Sequence, residues 1–184
     1  MKTVYRVIPY IPTSKKGIPG HPLFFPENRN VHRVDNPGHY KVAYFAADEQ
    51  CAFAEKFGYQ LQWNQSTLRP DKSLPKSKWA LVSYEINDIS PIFNMDDPNN
   101  LLKLQVRPSR VVTRDRAITQ AWALKVFEGK KNGGVSWWSF YNSDWVTLGI
   151  WELNNLKVKK VEILSLEHAA VQPAADVINK LVIT

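Results

Sequence analysis

The spacing of apolar residues along the chain predicts a mixture of strands and helices. β-branched and aromatic residues in TVYRVIP, at 3–9, predict a first strand that ends at its proline. The same reasoning predicts further strands at 41–47, 79–86, 90–95, 110–113, 134–141, 145–151 and 156–165. It predicts helices at 48–58, 115–128 and 168–181. Because strands outnumber helices without regular alternation, we expect an α+β fold: one domain over residues 1–184, with a mixed or mostly antiparallel sheet and flanking helices.

The first predicted helix carries a charge in an unexpected place. Asp48 is a suitable N-cap residue for it, and Gly58 is a suitable residue for its end. At about 100° per residue counted from Cys51, the stripe that should be buried contains Cys51, Ala54, Glu55 and Gly58. A buried carboxylate is costly unless it is paired, and functional sites are where such placements occur. Glu55 is therefore a candidate functional residue, although a helix-edge carboxylate that reaches solvent is the alternative.

A long segment without a helix or strand pattern, residues 11–39, precedes this helix. It is rich in Pro, Gly and Asn, and such segments often cover a functional site. Near its end, residues 35–38 read Asp-Asn-Pro-Gly, a sequence with strong turn chemistry. This turn would bring Arg33 towards Tyr44. The ordinary alternatives are a surface salt bridge for Arg33 and a structural strand tyrosine for Tyr44.

Residues 133–153, GGVSWWSFYNSDWVTLGIWEL, contain four tryptophans. Strand alternation over 134–141 would place Ser139 on the same face as Trp137 and Tyr141. Aromatic walls beside a hydroxyl group suit a planar heteroaromatic ligand. The same tryptophans could equally be large core residues, so both interpretations stay open.

Composition and charge narrow the environment and the partners. Of the 184 residues, 44% are hydrophobic and 22% charged, as expected for a folded globular protein. A net charge of +7 favours an anionic partner such as nucleic acid, a phosphorylated small molecule or an acidic protein. The single cysteine, Cys51, cannot close an intrachain disulfide, which favours a reducing setting. No signal-peptide pattern or membrane-spanning stretch is present, so we expect a cytoplasmic protein without membrane contact.

Several familiar catalytic motifs are absent from the sequence. It contains no Walker-type phosphate loop, no GxGxxG, no HExxH and no paired CxxC. The histidines are dispersed along the chain, at His21, His32, His39 and His168. We therefore expect no metal site and interpret the histidines as solvated or locally hydrogen-bonded loop residues.

A set of ordered motifs spans the chain. They are VYRV at 4–7, RVDNPGHYKVAYFA at 33–46, RAITQAWA at 116–123, GVSWWSFY at 134–141 and HAAVQPAADVINKL at 168–181. In their order and spacing the chain resembles the RES domain family. The resemblance implies a bacterial toxin that breaks the nicotinamide–ribose bond of NAD+, on a fold related to ADP-ribosylating toxins. NAD+ would be its substrate, with no further cofactor.

The resemblance also implies roles for five residues. The family's Arg, Tyr, Glu and Ser look like Arg33, Tyr44, Glu55 and Ser139, and Arg6 matches a recurrent early arginine. Glu55 would stabilise the ribose cation that forms as nicotinamide leaves, or orient the incoming water. Arg33 and Arg6 would hold the pyrophosphate, and Tyr44 would stack on a ring. Ser139 would donate to the ribose or a phosphate oxygen rather than act as a nucleophile.

Three activities remain open at this level. Capture of the ribose cation by water or phosphate gives an NAD+ glycohydrolase or phosphorylase, whereas capture by a side chain gives a protein ADP-ribosyltransferase. A different class is a single-stranded nucleic-acid-binding module, in which the tryptophans of residues 133–153 stack on bases. The family resemblance further implies an Xre-type helix-turn-helix antitoxin as partner, through which any contact with nucleic acid would be indirect.

Overall fold

A computed structural model describes residues 2–184 and shows four α-helices and nine strands. The helices are α1 (Glu49–Phe57), α2 (Pro98–Leu104), α3 (Arg116–Glu128) and α4 (Val171–Ile178). The strands are β1 (Lys2–Tyr10), β2 (Ala43–Ala46), β3 (Gln62–Asn64), β4 (Lys78–Ile86), β5 (Ile92–Asn94), β6 (Gly134–Trp138), β7 (Val146–Ile150), β8 (Leu156–Ile163) and β9 (Leu181–Ile183). Short 3-10 helices span Gln65–Leu68 and Pro108–Arg110.

Seven strands form one mixed sheet, in the order β5-β6-β7-β2-β1-β4-β8, and β3 pairs with β9 in a separate two-stranded sheet. Pairing is antiparallel for β1 with β4, β4 with β8 and β6 with β7, whereas β5 and β6 are parallel. The predicted α+β fold with a mixed sheet is therefore confirmed. No helix in the described residues is long and apolar enough to span a bilayer.

The chain divides into two compact units. Unit 1 comprises Met1–Pro26, Ala46–Ile86 and Leu156–Thr184, and unit 2 comprises Glu27–Phe45 and Asn87–Asn155. In unit 1, β1 pairs with β4 along its whole length, from Lys2 opposite Ile86 to Tyr10 opposite Lys78. The prediction of one domain over the whole chain stays a prediction.

Aromatic packing defines the core of unit 1 around α1. Asp48 caps this helix as predicted, because its Oδ1 accepts a hydrogen bond of 2.7 Å from the Cys51 amide. Phe53 and Phe57 lie one turn apart with ring centroids 4.8 Å from each other, and Phe53 also contacts the buried Trp63 at 4.8 Å. These large rings determine which face of α1 is buried.

Unit 2 has its own core, built from α2, α3 and the β5–β6–β7 part of the sheet. Asp115 caps α3 by accepting a hydrogen bond of 3.0 Å from the Ala117 amide. Trp122 of α3 and Trp137 of β6 pack edge to face with centroids 6.4 Å apart. The buried core residues are Val34, Val42, Met95, Leu101, Val111, Trp122, Ala123, Val126, Val135 and Trp137.

The predicted elements differ from the structure at a few places. Residues 110–113 do not form a strand; the chain there follows the 3-10 helix Pro108–Arg110 into a turn. The pattern also missed α2, which Asp97 caps, as well as β3 and β9, which are three residues long. Short elements carry too few residues to show a period, so tertiary packing rather than local pattern specifies them.

Candidate functional site

The loop that carries Arg33 is organised by one buried carboxylate, Asp35. Its Oδ1 accepts from Asn28 Nδ2 at 3.1 Å and from the Tyr44 hydroxyl at 2.8 Å. Its Oδ2 accepts from the amides of Val31 and His32 at 3.2 and 3.0 Å. A fully buried carboxylate with four donors is paired well enough to be stable. Asp35 therefore fixes the loop from residue 28 to residue 35 onto the start of β2.

Arg33 is half-buried and anchored to the backbone of unit 2. Its Nη1 donates to the carbonyls of Val111 and Thr113, both at 2.9 Å. Because two bonds from one nitrogen hold the planar guanidinium in place, its orientation is fixed by the fold. Backbone carbonyls therefore hold at least one nitrogen of this guanidinium. A fixed guanidinium fork is suited to binding a phosphate group.

The predicted turn lies one residue further along, at 36–39. The His39 amide donates to the Asn36 carbonyl at 3.1 Å, and Gly38 has a φ of +90°, a value that glycine adopts without strain. Close packing supports the same loop from β7. A Cβ atom at Gly149 would lie 2.7 Å from Val34 Cγ2, so glycine leaves the space that the loop requires.

Tyr44 belongs to the network around Asp35. Its hydroxyl accepts from the Val34 amide at 3.1 Å in addition to donating to Asp35. Burial, followed by the hydrogen bond to Asp35, raises the pKa of Tyr44 well above its ordinary value. The ring makes edge contacts with His32 at 5.6 Å and Trp137 at 6.3 Å. Tyr44 is thus a neutral, rigidly placed ring rather than a proton acceptor.

Ser139 lies just beyond the end of β6 and is buried. Its amide donates to the Trp145 carbonyl at 2.7 Å, and its Oγ accepts from the Tyr141 amide at 3.1 Å. The predicted strand to residue 141 is wrong, because β6 ends at Trp138 and a turn follows. The position of Ser139 is therefore determined by hydrogen bonds to the backbone of this turn and not by the alternation of side chains along a strand.

The tryptophans of residues 133–153 mostly serve packing. Trp137 and Trp145 are buried, whereas Trp138 and Trp151 are half-buried. Trp151 donates through Nε1 to the Asn132 carbonyl at 2.7 Å, and its ring contacts Tyr40 at 5.0 Å. Burial of these rings argues against a platform on which bases of single-stranded nucleic acid stack.

Glu55 of α1 is exposed, so the expectation that its side chain is buried is wrong. The buried residues of the helix are Cys51, Ala52, Phe53, Ala54 and Phe57. The predicted stripe was centred on the small residue Cys51, whereas the aromatic rings set the centre of the buried face. Glu55 then falls at the exposed edge of that face.

Arg6 of β1 lies in unit 1 among aromatic residues. Its Nη1 is buried and has no hydrogen-bond partner within residues 2–184, and its Cζ lies 5.2 Å from the Phe25 ring centroid. Burial lowers the pKa of Arg6. Nearby, Lys56 Nζ lies 4.3 Å from the centroid of the buried Trp79 ring, and burial lowers its pKa. Sequence reasoning identified Arg6 but missed Lys56, whose only signal was its place beside Glu55.

The histidines behave mainly as local hydrogen-bonding residues. Nδ1 of His21 accepts from the Leu23 amide at 3.0 Å, and Nδ1 of His168 accepts from the Ala170 amide at 3.2 Å. The described residues contain no cluster of three or more His, Cys, Asp or Glu side chains that could hold a metal ion. The candidate residues for the site are Arg33, Tyr44 and Ser139 in unit 2, and Arg6 and Glu55 in unit 1.

Both the fold and the sequence of this chain resemble those of known proteins. The structure matches a chain from the crystal structure of the M. tuberculosis MbcT–MbcA toxin–antitoxin complex with a TM-score of 0.62, over 97% of this chain and 90% of that one, at 13% sequence identity. No curated protein matches the sequence. The family model for the RES domain matches residues 3–171. The chain therefore belongs to the RES domain family, as its motifs predicted.

Proposed function

We propose that this chain is an NAD+-degrading toxin that cleaves the nicotinamide–ribose bond. The observation that carries the proposal is the family match over residues 3–171, which includes Arg6, Arg33, Tyr44, Glu55 and Ser139. The geometry of unit 2 supports it, because Arg33, Tyr44 and Ser139 are all held by hydrogen bonds to the backbone or to Asp35. Side chains fixed in this way cost little reorganisation when they bind a substrate.

In the proposed reaction the bond between C1′ of the ribose and the nicotinamide nitrogen breaks. The leaving nicotinamide takes the bonding electron pair, and positive charge develops on the ribose. Glu55 stabilises that charge through its carboxylate group. Water then attacks C1′ and releases a proton, which gives nicotinamide, ADP-ribose and H+. With inorganic phosphate as acceptor the product is a phosphorylated ADP-ribose instead.

The other side chains position the dinucleotide. In unit 2, the fixed guanidinium of Arg33 is suited to binding phosphate oxygens, and Tyr44 offers its ring for stacking. The family resemblance gives Arg6 of unit 1 a phosphate-binding role as well. Tyr44 contributes no proton, because its hydroxyl is already bonded to Asp35 and Val34 and its pKa is raised. Ser139 donates to a ribose or phosphate oxygen.

An antitoxin partner of the Xre helix-turn-helix type is part of the same proposal. Its support is family membership together with the MbcT–MbcA structure, which is a toxin–antitoxin complex. In a bacterial cytoplasm without such a partner, expression of the chain should arrest growth and deplete NAD+. Growth arrest without loss of NAD+ would point to a different toxic activity.

The direct test follows free nicotinamide after purified protein is mixed with NAD+. We expect Glu55→Gln to lower kcat by at least about 100-fold, the usual effect of removing a charge stabiliser from a transition state. Glu49→Gln, in the first turn of the same helix, is the matched control and should retain activity. Equal activity of wild type and Glu55→Gln would exclude Glu55 from the reaction.

Mass spectrometry of the same mixture separates the acceptors. Free ADP-ribose identifies a glycohydrolase, phosphorylated ADP-ribose identifies a phosphorylase, and a mass increase on a protein identifies an ADP-ribosyltransferase. If NAD+ stays intact while the protein binds single strands with a steep salt dependence, the proposal is wrong and a nucleic-acid-binding module replaces it.

A further inference from the structure

Gln120 is a buried polar residue of α3 that none of the proposed substrate contacts involves. Only 9% of its surface is exposed, and a polar side chain in such a place is costly unless it is hydrogen-bonded. Its Nε2 donates to the carbonyls of Asn30 and His32, at 3.3 and 3.0 Å. Both hydrogens of one amide nitrogen therefore bind a single loop segment, the one that leads into Arg33.

Asp35 holds the same segment through its amides. The Val31 and His32 amides donate to Oδ2 of Asp35 at 3.2 and 3.0 Å. The Asn30 carbonyl and the Val31 amide belong to one peptide unit, so this unit is bonded at both of its polar ends. Asn30 has a φ of +62°, in the left-handed region that residues other than glycine rarely adopt. The bonds from Gln120 and to Asp35 maintain that conformation.

The backbone of Gln120 holds the chain on the other side of Arg33. The Gln120 carbonyl accepts from Asn36 Nδ2 at 3.0 Å, and the same nitrogen donates to the Tyr40 hydroxyl at 2.7 Å. The Tyr40 hydroxyl in turn donates to the Val34 carbonyl at 2.8 Å. One residue of α3 is therefore bonded to the loop both before and after Arg33.

The side chain of Arg33 is bonded to the segment that precedes the same helix. Its Nη1 donates to the Val111 and Thr113 carbonyls, and α3 begins at Arg116. The backbone and the guanidinium of Arg33 are therefore both attached to the N-terminal part of α3. The fit between the guanidinium and its two carbonyl acceptors then depends on where Gln120 holds the loop.

We propose that Gln120 is a positioning residue for Arg33, which it acts on through the carbonyls of Asn30 and His32 and through Asn36. Its task is to keep the guanidinium in one orientation before a phosphate group arrives, so that little ordering is needed on binding. The effect on NAD+ rests on the proposed function. The attachment of the Arg33 loop to α3 does not.

Steady-state kinetics test the proposal with Gln120→Met, which keeps the size of the side chain and removes both donors. We expect KM for NAD+ to rise by at least about 10-fold while kcat stays within about 3-fold, because Arg33 is proposed to bind phosphate and not the reacting bond. If Gln120→Met does not fold, Gln120→Asn replaces it with the same expectation, since it is one methylene too short to reach both carbonyls.

Ile150→Ala is the control for a general loss of stability. Ile150 is fully buried in β7, next to Gly149, the residue that packs against Val34 of the Arg33 loop. Because neighbouring side chains of a strand point to opposite faces, Ile150 faces away from that loop. Ile150→Ala should lower the unfolding temperature and leave KM unchanged. An equal rise of KM in both variants would reduce Gln120 to a structural residue and overturn the proposal.

A double-mutant cycle with Arg33→Met shows whether Gln120 acts through Arg33. In the Arg33→Met background, Gln120→Met should lower kcat/KM by no more than about 2-fold further, because the group that it positions is already gone. Effects of the two replacements that multiply independently would contradict the proposal.

Amide hydrogen exchange of residues 30–36 supplies a readout that needs no activity. Exchange of this segment should be at least about 10-fold faster in Gln120→Met than in wild type, and unchanged in Ile150→Ala. Faster exchange in a protein that leaves NAD+ intact retains the positioning of Arg33 and rejects the proposed function. NAD+ cleavage with unchanged KM and unchanged exchange in Gln120→Met retains the function and rejects the positioning.

Discussion

The two units hold their candidate residues in different ways. In unit 2, the loop with Arg33 and Tyr44 is tied down by Asp35, whose two oxygens accept four hydrogen bonds. In unit 1, Arg6 and Lys56 lie beside aromatic rings, and Nη1 of Arg6 has no acceptor among residues 2–184. The network around Asp35 is therefore satisfied by its own neighbours in unit 2, whereas the buried nitrogen of Arg6 in unit 1 has no such acceptor. The following predictions test that contrast through stability.

The largest effect is expected at Asp35 in unit 2. Asp35→Ala leaves two side-chain donors and two backbone amides without their acceptor, so the free energy of unfolding should fall by about 3–5 kcal/mol. Chemical denaturation measures this change. Asp144→Ala, at an exposed aspartate of the same unit, is the control and should change stability by less than about 0.5 kcal/mol. A small loss at Asp35 would mean that the loop is not organised by this carboxylate.

Alkaline pH should weaken both units through their buried tyrosines. Burial raises the pKa of Tyr84 in unit 1 and of Tyr40 in unit 2 from 10.0 to about 12. Between these pH values the folded state keeps protons that the unfolded state has lost, so the free energy of unfolding falls as pH rises. Each shift of about two pKa units corresponds to about 3 kcal/mol at full effect.

Single replacements separate the two tyrosines. Tyr84→Phe and Tyr40→Phe should each remove their own part of the loss of stability between pH 10 and 12, which denaturant titrations at several pH values measure. Arg6 partly lowers the pKa of Tyr84, so Arg6→Met should move the tyrosinate absorbance transition of Tyr84 to higher pH. An unchanged transition would show that the two groups do not interact.

Elements of the fold that follow from a long sequence pattern could be predicted, whereas contacts between distant residues could not. The long strands β1, β4 and β8 and the capped helices α1 and α3 were predictable, because period and cap residues agree over many positions. The ordered motifs likewise identified the family and its candidate residues. Asp35 appeared in the sequence only as a turn former. Its role as the acceptor for four donors depends on tertiary contacts that no local pattern shows.

For Glu55, by contrast, a sequence pattern led to a wrong prediction. The prediction that Glu55 is buried used only its angular position around the helix. Angular positions show which residues share a face, but they do not show which face is buried. Phe53 and Phe57 occupy the centre because they bury the most apolar area, and Glu55 is displaced to the exposed edge. Lys56 was missed for a related reason, since its contact with Trp79 joins residues far apart in the chain.

Loss of the Tyr44 hydroxyl is expected to have a moderate effect. Tyr44→Phe removes one donor to Asp35 and the acceptor of the Val34 amide. The loss of these two hydrogen bonds should lower the free energy of unfolding by about 1–3 kcal/mol. The ring remains, so the proposed stacking on the substrate should persist, and KM for NAD+ should change less than stability does. A large rise in KM with little change in stability would show that the hydroxyl itself contacts the substrate.

The smallest change in stability is expected at Glu55, the residue expected to matter most for catalysis. Because the side chain is exposed, Glu55→Gln should alter the free energy of unfolding by less than about 1 kcal/mol. Chemical denaturation alongside the nicotinamide assay therefore separates chemistry from folding: intact stability with lost turnover assigns Glu55 to the reaction. Destabilisation as large as that of Asp35→Ala would instead make Glu55 a structural residue, and the contrast with the satisfied network of unit 2 would no longer hold.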